Sequence, residues 1–215
     1  MIYGAGLGPA ALIANQAKNG VFGTEVGETV VSFNGTPAPI LYTSATQVAA
    51  IVPYATASAT TQVTVAYKGN GSDAVSIPVA ASSPGVFTFD QSGAGQAAAI
   101  NAVDGTANTA ANPVAIGGYI SLYITGEGQT TPGGVDGTLG GSTPTHPVLP
   151  VSVTVCGIPA VVQYKGGAPG LVAGLTQVNV QIPNGVQPGG YVPVVVQVGD
   201  ASTIAGAVWI AVSGN

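Results

Sequence analysis

The sequence contains one histidine, His146, and one cysteine, Cys156, and these are the obvious candidates for covalent chemistry. A nucleophile and its base must lie within hydrogen-bonding distance of each other. His146 precedes a proline beside a glycine-rich stretch, and no G-x-S-x-G nucleophile motif occurs in the chain. One cysteine and one histidine also cannot complete a zinc site. The sequence therefore predicts that the protein is not an enzyme and that His146 lies in a surface loop.

Cys156 occupies the turn position that Asn34 occupies in a similar turn earlier in the chain. This position predicts a partly exposed free thiol. The thiol either has no function or forms a disulfide with another chain, and a single cysteine leaves both readings open.

The acidic residues are scattered and do not have the spacing of an EF-hand loop. Asp104-Gly105-Thr106 or Asp136-Gly137-Thr138 could join a calcium site made of loop carbonyls, but turn formation explains both better. The glycine run at residues 4–8 has no lysine and no long helix after it, so it is not a phosphate loop. We expect no cofactor.

Trp209 lies between Val208 and Ile210 in a predicted strand at the end of the chain. Strand side chains alternate between faces, so burial of the two neighbours would turn the indole toward solvent. Trp209 is therefore a candidate contact for carbohydrate. The alternative is ordinary packing against a loop or against the other half of the chain.

The chain repeats itself. Three segments each occur twice, namely residues 31–38 and 153–160, 46–53 and 176–183, and 2–8 and 122–128. A repeat of this length is one folded unit used twice rather than a small solenoid turn. Tyr3 matches Tyr123 and Tyr42 matches Tyr164, and repetition favours a packing role for these four side chains.

Short strands separated by glycine and proline are predicted along the whole chain. Residues 151–155 alternate between apolar and polar, and Asn34-Gly35 between two such runs is a strong hairpin signal. Further predicted strands are residues 61–67, 75–80, 86–90, 97–103, 119–125, 177–182, 192–198 and 207–212. One short helical turn is predicted at residues 9–14. The pattern predicts an all-β fold of two tandem immunoglobulin-like β-sandwiches.

The expected domains are a first sandwich at residues 1–82, a packed β connector at 83–115 and a second sandwich at 116–215. Asp104-Gly105 predicts a hairpin within the connector. The glycine-rich residues 126–145 are expected to form a long exposed loop.

The second sandwich opens with a longer strand than the first, whose matching residues would precede Met1. We expect Met1 to be a start codon added at a cut in a longer protein. The alternatives are a shorter opening strand, or a strand supplied by a neighbouring molecule.

The chain has three lysine and arginine residues against eight acidic residues. Nucleic acids and anionic membrane surfaces both require clustered cations, so neither is an expected partner. No apolar run approaches the roughly 20 residues of a spanning helix. A surface with so little charge leaves exposed strand edges prone to pair with other chains. The composition is also typical of extracellular proteins.

Residues 120–126, 153–160 and 176–183 resemble the IPT/TIG branch of immunoglobulin-like domains. The shared pattern is an opening strand that ends in glycine, a strand that enters a glycine turn followed by proline, and a polar pair that begins a strand ending in proline. Cys156 departs from the small polar residue or glycine usual at that turn.

The whole chain resembles the C-terminal domain family found on large secreted proteins of Solibacter and related acidobacteria. The residues that carry this resemblance are 2–9, 34–42, 46–53, 83–87, 110–113 and 176–183. The resemblance implies export and attachment behind other modules, and it supplies no catalytic residues.

We therefore predict a non-catalytic structural or interaction module of a secreted or cell-surface bacterial protein, acting in adhesion, spacing or assembly. A filament subunit is one form of this prediction. The expected partners are other protein chains through strand edges, or extracellular polysaccharide if the alternative of a polysaccharide-binding module holds.

Overall fold

The computed structural model describes residues 1–214, and these residues form 23 β-strands joined by turns and loops, with no helix. The predicted all-β class is confirmed. The helical turn predicted at residues 9–14 is wrong, because Ile13 and Ala14 form a strand that pairs with Thr43 and Tyr42. No helix among the described residues is long and apolar enough to span a membrane.

The chain divides into two compact units. Unit 1 contains residues 1–80, 134–142 and 169–173, and unit 2 contains residues 81–133, 143–168 and the chain from Gly174 onward. This division differs from the expected one in two respects. Residues 83–115, expected to be a separate connector, are part of unit 2, and two short segments from the second half of the sequence are part of unit 1.

Unit 1 is a sandwich of two antiparallel sheets. Its strands are β1 (Ile2–Tyr3), β2 (Ile13–Ala14), β3 (Glu25–Val26), β4 (Thr29–Phe33), β5 (Thr36–Ala38), β6 (Ile40–Thr43), β7 (Gln47–Ala50), β8 (Thr60–Tyr67), β9 (Asn70–Gly71) and β10 (Val75–Pro78). One sheet has the order β1-β7-β6-β2, and the other has the order β10-β8-β4-β3 with β5 on β4 and β9 on β8. Alternate side chains of both sheets meet in a core that includes Val31, Ile40, Val48 and Val65.

Residues 134–142, expected to be an exposed loop, are held by backbone hydrogen bonds within unit 1. The Phe22 N–H donates to the Gly137 carbonyl at 2.8 Å, and the Leu139 N–H donates to the Gly20 carbonyl at 2.8 Å. The Tyr54 N–H donates to the Asp136 carboxylate at 2.9 Å. The exposed-loop prediction is therefore wrong for this segment, because its backbone has partners far away in the sequence.

Unit 2 is built on one large sheet. Its strands are β11 (Gly85–Val86), β12 (Gly95–Gln96), β13 (Ile100–Asn101), β14 (Val114–Ala115), β15 (Tyr119–Thr125), β16 (Thr130–Thr131), β17 (His146–Pro147), β18 (Val151–Val155), β19 (Ile158–Gly167), β20 (Thr176–Gln181), β21 (Gly189–Val198), β22 (Ala201–Ser202) and β23 (Val208–Ser213). The sheet order is β11-β15-β20-β19-β18-β21-β23-β12, while β16 and β17 pair separately. The long strands β19 and β21 each pair first with one neighbour and then with another. These changes of partner carry the sheet around a single apolar core.

The sequence repeat is also a structural repeat. Val31 pairs with Ala38 on one side and Val65 on the other, and Val153 pairs with Ala160 and Val196 in the same way. The Asn34-Gly35 and Cys156-Gly157 turns both have positive φ at their two central residues, as Asn34-Gly35 and its match in the repeat predict. A shift of register precedes Tyr42 in unit 1 and Tyr164 in unit 2. The two units are therefore two copies of one strand arrangement.

Residues 83–115, which we call the arm, are the main addition in unit 2. Strands β11 and β13 of the arm pair with β15, whereas β12 and β14 run parallel to β23. Val86, Ala97, Ala99 and Val114 of the arm are buried in the core of unit 2. The arm thus covers the outer edges of the sheet.

Candidate functional site

An aromatic pair on unit 2 is the most distinctive surface feature. Val208 and Ile210 are buried in the core, and Trp209 between them faces the other side of β23, where it is half-buried. The ring of Tyr191, which is 79% exposed, lies 5.5 Å from the indole between centroids and is tilted by 58°. A register shift in β21 between Gly189 and Val192 brings Tyr191 to this position. Together the two rings form an aromatic surface open to solvent.

A carboxylate lies beside this surface, in a turn of the arm. The Thr88 hydroxyl donates to the Asp90 carboxylate at 2.8 Å, and the Ser92 N–H and hydroxyl donate to it at 3.1 and 2.9 Å. The backbone hydrogen bond from Ser92 and the two hydroxyl hydrogen bonds lower the pKa of Asp90 below its usual value. Asp90 is therefore a fixed, ionised acceptor at neutral pH.

Gly95 connects the carboxylate with the aromatic pair. It pairs with Val208, and its φ of +109° is a conformation that other residues adopt rarely. A Cβ on Gly95 would lie 3.7 Å from Oδ2 of Asp90 and 3.8 Å from Cη2 of Trp209. The carboxylate and the indole thus border the same small space, which a glycine leaves open.

An aromatic surface beside a fixed hydrogen-bond acceptor has features that a carbohydrate ligand can use. A sugar ring can place its C–H face on an indole or phenol ring and donate a hydroxyl to a carboxylate. The sequence pointed to Trp209 as a candidate contact for carbohydrate. It did not point to Asp90, because the arm reaches β23 through parallel pairing that no local pattern reveals.

The two reactive side chains lie apart. Cys156 is exposed in the turn between β18 and β19, two residues before Ile158, and its thiol is free. Nδ1 of His146 lies 2.8 Å from the carbonyl of Lys165, near the other end of β19. Lys165 lies seven positions after Ile158 along the strand, which corresponds to roughly 20 Å. Cys156 and His146 therefore cannot act as a nucleophile and base.

The only buried acidic side chain among the described residues is Glu127, which accepts a hydrogen bond from the Thr176 hydroxyl. Burial and the charge of Glu127 raise the pKa of Tyr164. The Tyr164 hydroxyl donates to the carbonyl of Gly167 at 3.0 Å, and its ring contacts His146 edge-on at 6.0 Å. These contacts link β17 to β19 and link the turn after β15 to β20.

The calcium candidates have structural partners instead. Asp104 accepts hydrogen bonds from the N–H and hydroxyl of Thr106, and Asp136 accepts one from Tyr54. Within residues 1–214, no group of three or more His, Cys, Asp or Glu side chains is placed to hold a metal ion.

The four repeated tyrosines were expected to have a packing role. Tyr42, Tyr123 and Tyr164 are half-buried, which fits this role, whereas Tyr3 is exposed and fits it less well.

Comparison with known proteins gives one match. Residues 1–83 match the family model of the IPT/TIG domain, which is an immunoglobulin-like fold. No curated protein and no solved structure matches the chain. The matched segment covers most of unit 1, so the predicted immunoglobulin-like class is confirmed there by an independent comparison. IPT/TIG domains are generally non-catalytic interaction modules.

Proposed function

We propose that this chain is a non-catalytic interaction module of a secreted or cell-surface bacterial protein, and that it joins protein chains in adhesion, spacing or assembly. The observation that carries the proposal is the open edge of unit 1. Strand β10 is the last strand of its sheet, and all four of its residues are exposed. Val75 and Ile77 of this strand are 59% and 42% exposed.

An exposed strand edge offers unpaired N–H and C=O groups to any extended chain that approaches it. Proteins usually block such edges with lysine or other charged side chains, and β10 carries none. The chain as a whole has only 5% charged residues, so charge repulsion keeps neighbouring molecules apart only weakly. The low charge and the resemblance to C-terminal domains of secreted acidobacterial proteins both favour an extracellular location.

Association of the purified protein tests this proposal. We expect light scattering and electron microscopy to show assemblies that grow with protein concentration. Ile77→Lys places a charge on the apolar face of the edge and should weaken association. Ser76→Lys places the same charge on the opposite face of the same strand and is the matched control. A strict monomer at every concentration would remove the assembly and filament forms of the proposal.

A second candidate function, binding of extracellular polysaccharide, is favoured by the Tyr191–Trp209 pair beside Asp90. A glycan array tests it with the wild-type chain, Trp209→Ala and Tyr191→Ala. Tyr3→Ala, which removes an exposed tyrosine from unit 1, is the control. We expect both platform variants to lose the glycans that the wild type binds. The absence of any bound glycan would discard this function.

Cys156 offers a covalent contact between two copies. Two exposed thiols can form an intermolecular disulfide, with their two electrons passing to an oxidant such as dissolved oxygen. Non-reducing electrophoresis after air oxidation should show a dimer that Cys156→Ser abolishes. A monomer band under these conditions would leave the thiol without this role.

A further inference from the structure

Strand β10 of unit 1 and strand β23 of unit 2 occupy the same position in the repeat, but β10 is exposed and β23 is covered. Ile77 of β10 pairs with Thr61, and Ile210 of β23 pairs with Val192, at matching positions of the repeat. Val75 and Ile77 are exposed, whereas their counterparts Val208 and Ile210 are 1% and 0% exposed. The residue types are the same at both positions, so the difference comes from what covers the strand.

In unit 2 the arm covers this edge. The Gly95 N–H donates to the carbonyl of Ala207 at 2.6 Å, and the Ala97 N–H donates to the carbonyl of Trp209 at 2.9 Å. Further along, the side-chain amide of Asn108 donates to the carbonyl of Ala211 at 2.9 Å and accepts from its N–H at 2.8 Å. The edge of β23 is thus occupied by an uncharged segment that runs parallel to it.

The backbone of β10 is oriented to receive the two backbone bonds that the arm donates to β23, whereas Pro78, the counterpart of Ala211, has no N–H to donate. The Val79 N–H donates to the carbonyl of Ala59 in the direction of β8. Since bonding directions alternate along a strand, Val75 and Ile77 also bond to β8, and the carbonyls of Ala74 and Ser76 point away from it. Ala74 and Ser76 are the counterparts of Ala207 and Trp209. The two carbonyls that accept hydrogen bonds from the arm in unit 2 therefore have equivalents at the open edge of unit 1.

A buried polar group lies at the same place. Thr61, opposite Ile77, is buried, and its hydroxyl has no hydrogen-bond partner within residues 1–214. Its counterpart in unit 2 is Val192, whose apolar side chain needs no hydrogen-bond partner. A segment that covers Ile77 would bring backbone N–H and C=O groups toward the part of the sheet that contains Thr61.

From these matches we infer that β10 is an acceptor for an extended segment of another polypeptide, and that this segment runs parallel to β10 and has the chemistry of the arm. It is uncharged, carries small apolar residues such as those at positions 94–99, and donates two backbone N–H groups to Ala74 and Ser76. This inference rests on the proposed function and names its partner. A second copy of β10 is a different occupant, and it would be recognised by dependence on protein concentration.

A tethered arm tests the inference at high effective concentration. Met1 is replaced by a copy of residues 83–121, because Ile2 matches Leu122 and the spacing of unit 2 is then reproduced. Residue-resolved hydrogen exchange of the Ser76 amide is the readout, since this N–H faces the open edge. We expect it to exchange roughly tenfold more slowly, or slower still, than in the unextended chain. The Ile77 amide already bonds to β8 and should change much less.

The matched control is the same extended chain with Ala97→Pro in the added copy only, which removes the N–H that donates to the edge. Protection of Ser76 should be lost in this control. Equal exchange of Ser76 in the unextended, extended and control chains overturns the inference, whether or not the purified chain associates. Protection of Ser76 that develops in the unextended chain as its concentration rises would support the self-association tested under the proposed function, but it would overturn this inference, because the occupant of β10 is then a second copy and not an arm-like segment. A monomeric chain whose Ser76 is protected by the tethered arm supports the inference while it removes self-assembly.

Discussion

Substitution of two matching glycines by alanine measures how tightly the start of the arm is fixed. Gly6 and Gly126 occupy the same position in the repeat and have φ values of +68° and +75°. A Cβ on Gly6 would meet no atom within 4 Å, whereas a Cβ on Gly126 would lie 1.8 Å from the carbonyl oxygen of Ser83. The Ser83 N–H donates to the Gly126 carbonyl at 2.9 Å. The two substitutions therefore share a backbone effect and differ in the contact with the arm.

The expected magnitudes follow from this difference. An alanine in the left-handed region costs about 1–2 kcal/mol, which applies to both variants. At position 126 the Ser83 carbonyl oxygen must also move by more than 1 Å to lie beyond 3.0 Å, the separation below which contacts to a Cβ essentially never occur. That displacement adds about 1–3 kcal/mol of overpacking and about 1 kcal/mol for the lost hydrogen bond. We expect Gly6→Ala to lower the free energy of unfolding by about 1–2 kcal/mol and Gly126→Ala to lower it by about 3–6 kcal/mol.

Urea denaturation followed by tryptophan fluorescence suits this comparison, because Trp209 is the single tryptophan and reports on unit 2. Unit 1 is followed in parallel by hydrogen exchange, since the two units can unfold separately. Gly6→Ala should leave the fluorescence transition unchanged, and Gly126→Ala should shift it to lower urea. Equal and small effects of both substitutions on their own units would refute the close packing of the arm against the end of β15.

Three further outcomes follow from the structure. Cys156→Asn should stabilise unit 2 by about 0.5–1 kcal/mol in urea denaturation, because asparagine tolerates the positive φ of this turn. Asn108→Ala should destabilise unit 2 by about 3 kcal/mol in the same assay, because it leaves the buried N–H and C=O of Ala211 without partners. Burial and the charge of Glu127 raise the pKa of Tyr164, so the stability from this group is present below the usual tyrosine pKa of about 10 and is lost as pH rises through the folded value. Tyr164→Phe should flatten that alkaline decrease in the urea midpoint, and an unchanged pH profile would contradict the assignment.

The turns and the strand repeat could be predicted because their signals are local. Asn34-Gly35 needs positive φ at both positions, and that requirement is visible in two adjacent residues. The Cys156-Gly157 turn was predicted from its match to Asn34-Gly35 in the repeat. The alternation in residues 151–155 likewise marks one buried face without any knowledge of the neighbours. Matching these signals between halves was enough to place Val31 and Val153 in equivalent strands.

The rest depended on pairing between residues far apart in sequence. The arm reads as short apolar runs, and nothing local shows that β12 and β14 run parallel to a strand near the end of the chain. Residues 134–142 read as a glycine-rich loop, although their backbone bonds to Gly20 and Phe22. The predicted strands 86–90 and 97–103 are shorter in the structure, because only parts of them meet β15. The aromatic pair was missed because a bulge in β21, which sequence periodicity does not reveal, sets the position of Tyr191.

The residue types of β10 indicate whether this strand is suited to remain exposed to solvent. A strand that faces water on its outer edge is usually protected by a charge, a bulge or proline. β10 reads Val-Ser-Ile-Pro, which keeps the valine and isoleucine that are buried in its counterpart β23, and its proline faces the open edge only at the last position of the strand. At the two positions where the edge carbonyls would accept bonds, the residues are Ala74 and Ser76, and neither hinders an approaching strand. Since Val75 and Ile77 gain little burial within unit 1, their apolar character is best explained by a segment that lies over them.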